Sequence, residues 1–203
     1  MYTFDEKTLV NELAKLPRHE RIAFAAAAAT RQLGTYEWYA RRFNANEELR
    51  PREIAIQLWN TLSTDAVDRI TWISALDEVM GLLPEENDDW VICHALADDA
   101  LSSLAYAVRA LLGPEPQEVA WAARRAYEAV DQAAIRTLGV QPGQPDTEIT
   151  IKSHPFVQRE ISRQRRDFDL LIAKPGKDSI EMIRNYAFSE ESLTDNEKNT
   201  WSD

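Results

Sequence analysis

The sequence predicts an all-α protein, a compact bundle of about seven to eight helices, on three observations. Apolar residues recur at steps of three and four along most of the chain, the period of a helix with one buried face. The 9 prolines and 6 glycines cluster between these apolar stretches and punctuate them. One segment alone, 148–152, alternates like a strand, and it has no visible partner strand.

Taken in order, the first helix is expected over 5–16, capped by Thr3 or Asp5 and stopped by Pro17. A second starts near Arg18, carries Ile22, Ala26, Ala29 and Leu33 on one face, and is closed by Gly34. Its alanine run, 25–29, removes side-chain bulk and lets a neighbouring helix approach closely. Residues 36–43 read as a short aromatic helix that ends in a turn around Asn44 and Asn46. Pro51 suits a first helical turn, and Ile54, Leu58, Trp59 and Leu62 mark the face that follows. Ser63, Thr64 and Asp65 supply the next cap, ahead of Trp72, Leu76, Val79 and Leu83. Asp88 or Asp89 then caps a long helix reaching Gly113, whose seam is Trp90, Cys93, Ala97, Leu101, Leu104, Val108 and Leu111.

Gly113, Pro114 and Pro116 turn the chain into a helix that ends near Leu138, with Val119, Ala123, Ala126, Val130 and Ala134 inside. A loop with Pro142, Gly143 and Pro145 follows, and 148–152 is expected to stay extended loop. The last strong helix begins at His154 and Pro155 and carries Val157, Ile161, Phe168, Leu171 and Ile172. Lys174, Pro175 and Gly176 break it before 180–186 resumes. Residues 1–188 are expected to form one domain and 189–203 an acidic, flexible tail.

The formal charge of −11 argues against a protein that grips nucleic acid, because neutralising phosphates needs a basic face. Arg159, Arg163, Arg165 and Arg166 lie close together, but Glu160, Asp167 and Asp169 are interleaved, so the run reads as a solvated helix face. An acidic surface suits steering toward a basic partner, and it suits plain solubility. Cys93 is the single cysteine, so no intramolecular disulfide forms. Residues 1–15 carry acids and no apolar run of signal-peptide length, and no stretch approaches the roughly 18 apolar residues of a membrane span. A cytoplasmic protein without a membrane partner is expected.

On a helical wheel of about 100° per residue, His94 falls within the apolar stripe of the long helix, Asp98 at its edge and Asp99 on the solvent face. His94 and Asp98 are one turn apart. In the last strong helix Gln164 occupies a seam position between Ile161 and Phe168, and Glu160 precedes it by one turn. Burying such groups costs roughly 1–3 kcal/mol each unless they are hydrogen-bonded. If the two helices pack together, these four satisfy one another. The constellation reads first as a polar network that fixes helix register, then as a shallow ligand pocket, then as a metal or acid–base site.

A di-iron site would want repeated Glu-x-x-His motifs, and none occurs. His154 before Pro155 suits capping. Phosphate-loop, dinucleotide, C-x-x-C and H-E-x-x-H motifs are absent, so no catalytic residue, cofactor or metal is assigned. Trp121 lies roughly opposite the inner stripe of its helix, near Arg124, Arg125 and Glu128. An outward tryptophan marks an interface, unless another helix or the tail covers it. Trp38, Trp59, Trp72 and Trp90 are expected in the core, and Trp201 in the flexible tail.

Over 16–184 the chain resembles the YjaG-like proteins, the bacterial family known as domain of unknown function 416. The resemblance rests on Leu58-Trp59-x-x-Leu62, on the helix from Asp98 to Leu111, and most specifically on His154-Pro155-x-Val157-x-x-Glu160-x-x-x-Gln164 followed by Leu171-Ile172. The family pattern has Asn where this chain has His154, and Lys174, Pro175 and Gly176 interrupt what is continuous helix in the relatives. The chain beyond Tyr186 has no counterpart in that pattern. The resemblance implies a compact helical bundle of cytoplasmic bacterial proteins, and it raises the standing of Asp98, Glu160 and Gln164 as a shared feature.

The functional expectation is a non-catalytic protein-binding module that meets a basic protein or a second copy of itself. One concrete version is an immunity or antitoxin-like protein that blocks a basic toxin. The alternative is a small-ligand binder or enzyme built on His94, Asp98, Glu160 and Gln164.

Overall fold

The alanine-rich second helix organises the chain around itself. The computed structural model describes residues 1–203 except 44, 46, 65, 86–90, 114 and 202–203. Helix α1 spans Glu6–Leu13, α2 Arg18–Phe43, α3 Arg50–Thr64, α4 Arg69–Gly81 and α5 Ile92–Leu112. Helix α6 spans Pro116–Leu138, α7 Pro145–Ser153, α8 Pro155–Ala173, α9 Lys177–Ser189 and α10 Asp195–Asn199. The class is therefore all-α, with ten helices among the described residues instead of seven to eight, and no strand among them.

Helix α2 touches α3, α5, α6, α8 and α9. Every residue from Ile22 to Tyr36 is buried, so no side of this stretch faces solvent. The alanines make that enclosure feasible, because neighbouring helices approach close to its backbone. Antiparallel α5 and α6 close the other side of the core, where Ala97, Leu101, Leu104 and Val108 meet Val119, Ala122, Ala123 and Ala126. Trp59 is fully enclosed, and its indole N–H donates to Thr30 Oγ1 at 3.0 Å. Trp38 and Trp72 are also buried, as expected. Trp90 and the expected caps Asp65, Asp88 and Asp89 lie outside the described residues, as do Asn44, Asn46 and Pro114.

Local chemistry explains the ends. Asp5 caps α1 by accepting from the Thr8 amide at 2.6 Å, and Asp68 caps α4 through Ile70. His154 ends α7 and starts α8, where its Nδ1 accepts from the Phe156 amide. Helix α7 replaces the extended loop expected over 148–152. Pro145 opens it, Asp146 and Glu148 sit in its first turn and Lys152 in its last, all favourable to the helix dipole. The apparent alternation leaves Ile149 exposed and Ile151 buried against α8 and its surroundings. Helix α4 is apolar on its outer side too, where Ile70, Ile73 and Met80 are exposed.

Gly34 does not end a helix. Helix α2 runs straight through it, absorbing the aromatic segment expected as a separate helix. A Cβ on Gly34 would meet Lys198 Nζ at 3.3 Å and Glu191 Oε1 at 3.4 Å. The missing side chain thus makes room for residues 190–201, which return across α2 as a strap. Lys198 is fully buried there and donates to the Gly34 carbonyl at 3.1 Å, with Asp195 at 3.0 Å. Leu193 and Trp201 are buried with it. In place of a flexible tail, the structure shows this segment folded onto the bundle.

Gly34→Ala is expected to change stability by less than about 1 kcal/mol, since the gain in helix propensity offsets a small displacement of the Lys198 ammonium. Gly34→Leu is expected to dislodge the strap while leaving the bundle folded. Hydrogen exchange read by mass spectrometry should then show protection lost over 190–201 and retained in α5.

Candidate functional site

Arg31, Glu160, Gln164 and Asp167 form a buried polar cluster between α2, α6 and α8, and Arg166 joins it through Asp167 Oδ1 at 2.8 Å. The Arg31 guanidinium donates to Asp167 Oδ2 at 2.6 Å and to Glu160 Oε1 at 3.3 Å. Gln164 Nε2 donates to Glu160 Oε1 and to the Ala123 carbonyl, both at 3.0 Å. All four are buried. Burial pulls the Arg31 guanidinium down, but Glu160 and Asp167 outweigh it and hold the group protonated. Gln164 also borders a cavity of about 130 Å³ between Phe4, Phe24 and Phe168.

The four residues singled out from the sequence therefore divide. Glu160 and Gln164 bond each other, but in company with Arg31 and Asp167. His94 sits elsewhere, its ring 4.5 Å from that of Phe43 and 5.2 Å from that of Tyr39, with Nδ1 accepting from the Val91 amide. Asp98 is half-buried and faces Arg125 at 3.7 Å. Asp99, expected in solvent, is the more buried of the two acids. It accepts from Arg125 at 3.0 Å and from Gln132 Nε2 at 2.8 Å. The reversal follows from packing, because α5 is covered by α2 on one side and α6 on another, so its wheel has no single solvent face.

The run of arginines on α8 is also not a solvated face. Arg159 makes a bidentate pair with Glu197 at 2.8 Å and donates to the Ser192 carbonyl. Arg163 donates to the Glu191 carbonyl, and Arg166 pairs with Glu190 at 2.6 and 2.9 Å while lying 4.3 Å from the Tyr186 ring centroid. Three of the four arginines thus clamp the strap, and Arg165 remains at the surface beside Asp169.

The open polar surface lies along the outer seam of α5 and α6. At one end Trp121 is half-buried against Tyr106, with ring centroids 5.4 Å apart, in a surface depression of about 270 Å³ flanked by Arg124. Beside it Asp98, Asp99 and Glu128 lie 3.7, 3.0 and 3.5 Å from the Arg125 guanidinium, and Glu128 also accepts from Arg124 Nε at 2.7 Å. Burial pushes the Asp99 carboxyl up to about 7, against the downward pull of Arg125, and the neighbouring Glu128 and Asp98 add to the rise. Among the described residues no group of three or more His, Cys, Asp and Glu side chains is placed to hold a metal ion. Nor is any helix there long and apolar enough to cross a membrane.

An all-helical bundle with a buried ion cluster and a solvent-facing aromatic and acidic seam is the class these features define. The chain belongs to the DUF416 family, described as proteins of unknown function, whose profile matches residues 8–193 and so reaches into the strap. In fold it is similar to a DUF416 family protein from Shewanella baltica OS155, solved by crystallography at 1.91 Å. The TM-score is 0.78 at 15% identity, over 89% of this chain and 93% of that one. No curated protein matches the chain.

Arg31→Met is expected to destabilise the fold by about 3–5 kcal/mol, because it leaves Glu160 buried without its cation and leaves Asp167 with Arg166 alone. Urea denaturation checks this, and adding Glu160→Gln should recover part of the loss. Asp99 gives a pH signature. From 3.8 to about 7 the folded chain keeps a proton on Asp99 that the unfolded chain has released, so stability falls as pH rises through that window and levels off above it. Asp99→Asn should flatten that slope in urea midpoints measured from pH 4 to 8.

Proposed function

We propose that this protein is a non-catalytic binding module that recognises a basic protein through the α5–α6 seam. The observation that carries the reading is the half-exposed Trp121 beside the partly exposed carboxylates of Asp98 and Glu128. Tryptophan and tyrosine in a partly desolvated depression supply the contact area typical of binding hot spots. Asp98 and Glu128 lie within reach of an incoming lysine or arginine, and the net charge of −11 steers such a partner from a distance. A cytoplasmic antitoxin or immunity role against a basic toxin fits this chemistry.

A ligand or catalytic pocket built on His94, Asp98, Glu160 and Gln164 has less support, since Glu160 and Gln164 turn toward Arg31 while His94 packs among aromatic rings. The α5–α6 seam offers the solvent-facing aromatic group that a protein partner needs.

Native mass spectrometry of the protein taken gently from its own host is expected to show a basic protein bound at fixed stoichiometry. Trp121→Ala should weaken that complex by about thirtyfold, as for a hot-spot tryptophan, with the helical circular dichroism unchanged. Absence of any stoichiometric partner, or a complex indifferent to Trp121→Ala, would defeat the reading.

A further inference from the structure

The cavity of about 130 Å³ that Gln164 borders lies between α1, α2 and α8, next to the polar cluster. Its floor is buried and consists of Phe24 from α2 with Ile161 and Gln164 from α8. Phe4, Leu9 and Phe168 form half-buried walls, and the exposed residues Thr3, Asp5, Thr8 and Arg165 stand at the mouth. The wall that precedes α1 is held in place. Phe4 stacks on Tyr127 of α6, with centroids 4.9 Å apart and planes 12° apart. The Gln158 amide exchanges two hydrogen bonds with the Tyr2 backbone, at 2.9 and 2.8 Å. The space is therefore formed before anything enters it.

Gln164 is the only buried polar residue among the described residues that line this space. Its Nε2 donates to the Ala123 carbonyl and to Glu160 Oε1, both at 3.0 Å. Both partners are acceptors, so the amide has one orientation, nitrogen toward the cluster and oxygen away from it. Among the described residues no donor reaches that oxygen. A buried carbonyl without a donor costs free energy, and a hydroxyl or amine on an entering ring removes that cost.

Size selects the ring. An apolar cavity of about 150 Å³ holds benzene, so the space here suits one six-membered ring and not a fused pair. Three phenylalanines supply its aromatic contacts. Charge is disfavoured, because the nearest buried cation, Arg31, is already paired with Glu160 and Asp167, and an ionised ligand would lose its hydration without a counter-ion.

We propose that this cavity binds a neutral single-ring aromatic compound with one hydrogen-bond donor, a phenol or an aniline. The donor meets Gln164 Oε1 and the ring lies among Phe4, Phe24 and Phe168. The site is built on α1, α2 and α8, away from the α5–α6 seam, and stands or falls separately from the protein-binding reading.

The test titrates phenol, toluene and 2-naphthol into the full chain by calorimetry and places each by nuclear Overhauser effects. Phenol is expected to bind saturably at 1:1, with its ring protons close to the methyl groups of Leu9 and Ile161. 2-Naphthol, with the same donor on two fused rings, should not bind there. In the unaltered chain the side-chain carbonyl carbon of Gln164 should shift downfield with phenol and not with toluene, which has the same shape and no donor. Gln164→Met keeps the length of the side chain and removes the acceptor, so it should weaken phenol about fivefold and spare toluene. If that variant loses toluene too, its chamber has collapsed and the carbonyl shift decides. Ile70→Ser, on the exposed side of α4, should alter neither ligand. Absence of saturable phenol binding, contacts at other methyl groups, entry of 2-naphthol, an unshifted Gln164 carbonyl, or a Gln164→Met variant that holds phenol as tightly as before would each overturn the proposal.

Discussion

Arg31 sets the terms for everything packed around α2. A guanidinium enclosed by helices on all sides is tolerable only if carboxylates are delivered to it, since the penalty for burying an unpaired ion is several kcal/mol. Helix α8 delivers two, from positions 160 and 167, which lie two turns apart on one face, with Gln164 between them. Gln164 in turn reaches the Ala123 carbonyl, so α2, α6 and α8 are fixed by one set of hydrogen bonds. Such a cluster contributes little net stability compared with an apolar core of the same shape. Its effect is on register, because rotating or sliding α8 by one residue would leave charges buried without partners.

That register has a second consequence along α8. Shifting 160, 164 and 167 by one residue gives 159, 163 and 166, the three arginines that hold the strap. Once the acidic ribbon turns inward to Arg31, the basic ribbon beside it must face the returning chain. The main chain closes the same link, since the Ser192 amide donates to the Arg31 carbonyl at 2.8 Å. Gly34, three residues further along α2, leaves room for Lys198. Core cluster and strap are thus parts of one arrangement, and Trp201 is buried near its end.

Much of this was legible in the sequence, and the exceptions have specific causes. Faces such as Ile54, Leu58, Trp59 and Leu62, or Val119, Ala123, Ala126 and Val130, are visible because each helix buries one stripe. Glu160 and Gln164 stand out as polar residues at seam positions. Arg31 does not, because α2 is buried all round and a wheel reading has no reason to place a charge inside; nor does Asp167, which is hidden in a charge run with Arg165, Arg166 and Asp169. Gly34 reads as a helix end, since close approach by a segment more than 150 residues away leaves no local mark. Asp99 was assigned to solvent for the same reason, a one-faced wheel applied to a helix covered on more than one side.

The distribution of charge shows why a net value says little about an individual site. Arg31, Arg159, Arg163 and Arg166 are engaged in the core or the strap, and they take Glu160, Asp167, Glu190 and Glu197 with them, so these internal pairs nearly cancel. The excess of carboxylates is carried by the rest of the chain, and at the α5–α6 seam Asp98 and Glu128 stand beside Arg124 and Arg125. At the amino-terminal end of α5, Arg42 and Arg136 stand at the rim of a groove walled by Trp38 and Trp201. Gln132 joins the two regions, bonding Asp99 of the seam while lining the groove. Local pairing thus sets the charge at each place on these two helices, which the total does not disclose.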